Sequence, residues 1–127
     1  MVGRAVGVLC IDDDRVITAI VEIALSADPD IRLHTAQSGD EALELIERGL
    51  MPDLILLDAN LPDASGAEIA RRLIERDPDH SPPIVFMTAS SEYLTAEQCR
   101  KAGAVGVIPK PFDPVTLAAQ VRAFLPD

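Results

Sequence analysis

The feature that most constrains this sequence is a run of four aliphatic residues, Leu54 to Leu57, followed at once by Asp58. Four consecutive apolar residues between turn signals are typical of a strand buried on both faces, as the strands of a parallel sheet are. A carboxylate directly after such a strand has to leave the core. In open α/β sheets, ligands bind at the carboxyl ends of the strands. The position of Asp58 therefore predicts a functional group at one edge of a parallel sheet.

The rest of the chain alternates between predicted strands and predicted helices. Short apolar runs predict the strands, and apolar residues repeating at steps of three and four predict the helices. The predicted strands are 6–11, 31–36, 54–58, 84–88 and 105–108, and the predicted helices begin near Arg15, Ser38, Ser65, Ser91 and Asp113. Because right-handed crossovers leave few other topologies, this alternation predicts an α/β fold with a doubly wound, five-stranded parallel sheet and five helices.

Capping signals mark several of the predicted helix ends. Ser38 and Ser65 are each followed three residues later by glutamate, which is the capping-box pattern. Asp113 followed by Pro114 predicts the start of the last helix, with Asp113 as N-cap and Pro114 as the first helical residue. Gly103 predicts the end of the helix over 91–102.

The composition fits one small α/β domain. The chain has 127 residues, of which 48% are hydrophobic but only 3% are aromatic. A core built from small aliphatic residues suits parallel strands covered by helices. Because the last predicted helix runs to the end of the chain, we expect a single domain over 1–127 with no output domain.

The net charge and the two cysteines limit which partners the protein could bind and in which cellular compartment it could act. The formal net charge of −10 would repel a phosphate backbone, which argues against direct nucleic-acid binding. The first apolar run is short and ends in three aspartates, so neither a signal peptide nor a membrane span is predicted. Cys10 and Cys99 lack the spacing of a metal site, and free thiols favour a reducing compartment. We therefore expect a cytoplasmic protein.

Polar residues end or follow four of the predicted strands: Asp12 to Asp14, Asp58, Thr88 and Lys110. Because the carboxyl ends of parallel strands share one edge, these side chains should converge. Carboxylates gathered there repel one another by about 4 kcal/mol per pair at contact distance, in an effective dielectric of about 20. Lys110 supplies one compensating charge, and Mg²⁺ bound by oxygens is the natural second. With phosphate oxygens so neutralised and Thr88 donating a hydroxyl, one carboxylate could attack phosphorus.

Each of these residues also has an ordinary structural interpretation. An aspartate run before a helix is often an N-cap with solvated charge. Asp58 could form a turn, Thr88 could satisfy a helix start, and Lys110 could lie in an exposed loop. The functional interpretation is favoured by coincidence, because unrelated turn residues would seldom place carboxylates, a hydroxyl and an amine at successive strand ends.

Taken together, the chain resembles the receiver domain of two-component response regulators over essentially its whole length. The residues that carry the resemblance are Asp12-Asp13, Asp58 with Pro62 and Gly66 after it, Thr88-Ala89, and Lys110-Pro111-Phe112. The motifs are weak singly but specific in this order and spacing. The resemblance implies the flavodoxin-like strand order 2-1-3-4-5.

The resemblance also implies the chemistry. Asp58 would accept a phosphoryl group from a phosphohistidine on a histidine kinase or histidine phosphotransfer protein. Asp13 and Asp58 would bind Mg²⁺ through their side chains, Asn60 through its backbone carbonyl and Asp12 through a water. The domain would catalyse only its own phosphorylation and dephosphorylation, and so would not be an enzyme in the usual sense.

The remaining implied features concern the phosphoryl group and the signal. Thr88 and Lys110 would hold phosphoryl oxygens, small Ala89 would leave access, and the Lys110-Pro111 bond would be cis. On phosphorylation Thr88 would move, and the surface of the last two strands and the neighbouring helix would repack for a downstream protein target. Separately from the resemblance, a homodimer could form through the face from the fourth strand to the last helix. The family usually has Tyr or Phe where this chain has Val107, so we expect signalling through backbone shifts or a role as a phosphate relay.

Two alternatives stay open from the residues alone. Asp12 to Val16 fits the Asp-x-Asp-x-Val nucleophile motif of haloacid-dehalogenase-type phosphatases, with Thr88 and Lys110 in supporting positions. Against that alternative, no acidic pair follows the lysine, no cap insertion is present and Asp58 stays unexplained. The other alternative is a phosphorylation-independent interaction module, which the intact set of polar residues disfavours.

Overall fold

Five parallel strands form one sheet in the computed structural model, which describes residues 5–59, 61, 65–89 and 100–125. The strands are β1 (Val6–Ile11), β2 (Ile31–Ala36), β3 (Leu54–Asp58), β4 (Ile84–Ala89) and β5 (Gly106–Lys110). They pair in the order β2-β1-β3-β4-β5, and every pair is parallel. This confirms the predicted sheet and its order.

Four helices lie within the described residues and connect the strands. They are α1 (Arg15–Leu25), α2 (Gly39–Glu47), α3 (Gly66–Arg76) and α4 (Leu117–Ala123). The predicted helix over 91–102 lies outside the described residues except for 100–102. Cys99 lies outside them too.

The sheet separates two hydrophobic clusters, one on each face. Alternate residues of β1 and β3 point to opposite sides, so that Leu9 and Leu57 join one cluster while Cys10 and Leu56 join the other. Residues of α2 and α3 complete the first cluster, and residues of α1 and α4 complete the second. Because both faces of β3 are covered, all five of its residues are buried, which explains its unbroken aliphatic run.

Aspartate and serine side chains cap the N-termini of the first three helices. Ser38 accepts a hydrogen bond from the Glu41 amide at 3.1 Å, and Ser65 accepts one from the Glu68 amide at 3.2 Å. These contacts confirm the two predicted N-caps. Asp14 caps α1 by accepting from the amide of Val16, the second residue of the helix, at 2.9 Å.

The predicted start of the last helix is wrong. The carboxylate of Asp113 accepts from the Val115 amide at 2.9 Å, and its carbonyl accepts from the Thr116 amide at 3.2 Å. These short-range bonds form a turn, and α4 begins only after Thr116. An aspartate followed by proline suits the first positions of a turn as well as those of a helix, which is why the sequence signal was ambiguous.

The fifth strand is also longer than predicted. It ends at Lys110, and not at Ile108, because Pro109 and Lys110 continue the register opposite Thr88 and Ala89 of β4. Lys110 is therefore fixed by the sheet itself.

Candidate functional site

The polar residues predicted at the strand ends do converge at one edge of the sheet. Asp12 follows β1, Asp58 and Lys110 are the last residues of β3 and β5, and Thr88 is the penultimate residue of β4. β3 lies beside both β1 and β4, and β4 lies beside β5, so these ends are neighbours. Asp12, Asp58 and Thr88 are the buried polar or charged residues of the described chain, with exposures of 0%, 5% and 5%.

Lys110 connects two of the carboxylates. Its Nζ atom lies 2.8 Å from Asp12 Oδ2 and 3.3 Å from Asp58 Oδ1. Burial of the ammonium group lowers the pKa of Lys110, but the hydrogen bond and charge of Asp12, followed by those of Asp58, outweigh it and raise the pKa overall. Lys110 is therefore held in its charged form between two buried acids.

Three carboxylates form a compact oxygen cluster. Asp12, Asp13 and Asp58 each offer an oxygen, and these oxygens lie within 4.8 Å of one another. Asp13 is exposed, whereas the other two are buried. An all-oxygen donor set with more negative charge than Lys110 can neutralise fits a hard divalent cation such as Mg²⁺.

The three consecutive aspartates before α1, Asp12 to Asp14, make different contacts. Asp12 Oδ1 accepts a hydrogen bond from the Asp14 amide at 2.9 Å, which leaves Oδ2 for Lys110. The amide of Asp12 donates to the carbonyl of Ala36 in β2 at 3.0 Å. Of the three, Asp14 is therefore the helix cap. Asp12 and Asp13 instead belong to the oxygen cluster with Asp58.

The residues next to these acids and Lys110 are also part of the predicted site. Thr88 Oγ1 lies 3.3 Å from the carbonyl oxygen of Ala89, to which it donates. The Lys110-Pro111 peptide bond is cis, which confirms that prediction. Val107 is half-buried and packs against the cluster that contains Phe86. Asn60, the predicted carbonyl ligand, lies outside the described residues.

Cys10, the penultimate residue of β1, is a free cysteine near these acids. Its thiol is fully buried, and burial, together with the charge of Asp12, raises its pKa to about 12. Cys10 therefore stays a neutral, unreactive thiol. Its position two residues before Asp12 on a strand could have suggested this location, since side chains i and i+2 share a face.

Comparison with known proteins identifies the family. Residues 8–122 match the response regulator receiver domain. The chain belongs to that family. The match covers most of the sequence, and it leaves the phosphatase alternative without support.

Two similar proteins are considerably longer than this chain. A protein-glutamate methylesterase/protein-glutamine glutaminase 1 of Syntrophus aciditrophicus is 39% identical over 108 residues, which are 82% of this chain and 30% of that protein. The phosphate regulon transcriptional regulatory protein PhoB of Pseudomonas aeruginosa is 35% identical over 125 residues, 98% of this chain and 53% of PhoB. The receiver chain therefore spans between about a third and half of these relatives.

Solved structures show the same fold. The chemotaxis response regulator CheY4 of Vibrio cholerae superimposes with a TM-score of 0.83 at 28% sequence identity, over 95% of this chain and 99% of CheY4. Receiver domains are signalling domains of two-component systems. In the described part of this chain, no helix has the length and apolar character needed to cross a membrane.

Proposed function

We propose that Asp58 accepts a phosphoryl group from a phosphohistidine on a histidine kinase or histidine phosphotransfer protein. The observation that carries the proposal is the position of Lys110, whose ammonium group lies between Asp58 and Asp12 at one edge of the sheet. An Asp58 oxygen attacks phosphorus, the phosphorus–nitrogen bond breaks, and its electron pair returns to the imidazole nitrogen. The product is an aspartyl phosphate.

The surrounding residues position and neutralise the phosphoryl group. Lys110 binds one phosphoryl oxygen, and the Thr88 hydroxyl turns from the Ala89 carbonyl to donate to another. Small Ala89 leaves the approach open. Catalysis here consists of positioning and charge stabilisation, so no general base is required.

The acidic cluster fits Mg²⁺ as the cofactor. Asp13 and Asp58 would hold the ion through their carboxylate oxygens, and Asp12, the third member of the cluster, would reach it through a water. Asn60, which lies outside the described residues, would supply a backbone carbonyl. When bound, the ion adds positive charge against the phosphoryl oxygens. Without it, three carboxylates face a single ammonium group, and they would repel an incoming phosphoryl group.

Phosphorylation changes the binding of a downstream protein target. With Val107 in place of an aromatic residue, the change passes through backbone shifts of β4 and β5, or the chain relays the phosphoryl group onward. The acidic chain itself binds no nucleic acid, and it acts in the cytoplasm. The face from β4 to α4 could bind a second copy of the chain.

Intact mass spectrometry tests this function. Incubation with acetyl phosphate should add one phosphoryl group only when Mg²⁺ is present, and Asp58→Asn should remove the gain. Absence of any gain in a folded protein would refute the phosphoacceptor role and leave an interaction module. Turnover of small phosphate esters would instead support a phosphatase that uses Asp12.

A further inference from the structure

The first turn of α3 lies unusually close to the end of β3. A Cβ atom built on Gly66 would lie 2.7 Å from the Asp58 carbonyl oxygen, 2.8 Å from Ala59 Cα and 3.0 Å from the Ala59 carbonyl oxygen. These are backbone atoms, which cannot move aside as the end of a side chain can. Only a residue without a side chain fits between the helix and the strand end.

Hydrogen bonds fix the backbone on both sides of this contact, at Gly66 and at Ala59. The Gly66 amide donates to the Ala59 carbonyl at 2.8 Å, and the Ala59 amide donates to the Met87 carbonyl of β4 at 3.0 Å. Ser65 caps the helix, and Ile69 anchors its first turn in the hydrophobic cluster. Helix, strand end and neighbouring strand therefore form one fixed unit around Asp58.

We propose that Gly66 is a positioning residue for the phosphoacceptor. Its missing side chain sets the backbone position from which the Asp58 carboxylate reaches Lys110 at 3.3 Å. The inference rests on the proposed phosphorylation of Asp58. It adds a residue that touches neither phosphoryl group nor metal, and that acts only through the carbonyl and Cα positions of its neighbours.

The size of the effect follows from the contact distances. To reach an ordinary contact of 3.4 Å, the 2.7 Å contact has to widen by about 0.7 Å. A misplacement of about 1 Å at a reacting group can slow a reaction about a hundredfold. We expect Gly66→Ala to slow labelling of Asp58 between about 10-fold and 100-fold per folded molecule.

Two matched variants separate positioning from loss of stability. Gly7→Ala makes the same substitution in β1, where the nearest atoms to a new Cβ lie at 3.7 Å. Ser65→Ala weakens the same helix by removing its N-cap, without adding an atom against Asp58. Both variants should label at the wild-type rate per folded molecule, even though Ser65→Ala should lower the melting temperature.

The experiment measures the initial rate of mass gain from acetyl phosphate at saturating Mg²⁺, well below each melting temperature. If Gly66→Ala does not fold in buffer, the same comparison is made in trimethylamine N-oxide, which favours the compact state. A Gly66→Ala rate equal to that of Ser65→Ala would overturn the positioning role while the phosphoacceptor function stood. Failure of wild type to label would overturn the function itself.

Discussion

Replacing Asp13 by asparagine should make the metal-free protein more stable while removing its response to Mg²⁺. The carboxylate oxygens of Asp12, Asp13 and Asp58 lie within 4.8 Å of one another. At that distance each pair repels by about 3 to 4 kcal/mol in an effective dielectric of about 20. Lys110 contacts Asp12 and Asp58, and no ion pair of Asp13 is found within the described chain.

The expected gain is smaller than the pairwise figure because Asp13 is exposed and water screens its charge. We expect Asp13→Asn to raise the free energy of unfolding by about 1 kcal/mol without metal, which is about 4 °C in melting temperature for a chain of this size. In wild type, Mg²⁺ at about a hundred times its dissociation constant should add about 2.7 kcal/mol. In Asp13→Asn most of that increment should disappear.

Urea denaturation with and without Mg²⁺ measures both effects. Asp79→Asn is the matched control, because it removes one exposed charge from the loop before β4, at the opposite edge of the sheet. The reasoning is wrong if Asp13→Asn is no more stable than Asp79→Asn in the absence of metal. It is also wrong if Mg²⁺ stabilises Asp13→Asn as strongly as wild type.

Two further predictions concern charged contacts. Lys110→Met should lower the free energy of unfolding by about 3 kcal/mol at neutral pH, because it removes the cation between two buried carboxylates; unchanged stability in urea would contradict this. Asp28 forms a two-point contact with Arg122 of α4, which, with the Asp30 amide, lowers the pKa of Asp28 below its usual 3.8. A lowered carboxyl pKa stabilises the fold above the unfolded pKa, so Asp28→Asn should melt earlier than wild type at pH 7 and the difference should vanish as the pH falls through the folded pKa. A difference that persists or grows in acid would exclude the charged contact as its cause.

Much of the fold could be predicted because burial on both faces leaves a clear pattern. The aliphatic runs of β1 and β3 follow from a sheet covered on both sides, and the serine caps of α2 and α3 follow from local hydrogen bonds. The strand order did not follow from the pattern, and it came from the resemblance to receiver domains. The start of α4 was missed because Asp113 and Pro114 suit a turn and a helix equally.

The site was predictable as a set of residues but not as a geometry. Positions at strand ends indicated that Asp12, Asp58, Thr88 and Lys110 should meet. Nothing in the sequence indicated that Lys110 approaches Asp12 more closely than Asp58, since the lysine and Asp12 are 98 residues apart. The close approach of Gly66 to the β3 backbone likewise depends on helix placement to within an ångström.

The most direct test of the central claim is to locate the phosphoryl group on the chain. After reaction with acetyl phosphate and Mg²⁺, borohydride reduction converts an aspartyl phosphate to homoserine, which peptide mass spectrometry can assign to one residue. We predict homoserine at position 58, and unmodified aspartate at positions 12 and 13. Homoserine at Asp12 or Asp13 with none at Asp58 would contradict the assignment of Asp58 as phosphoacceptor.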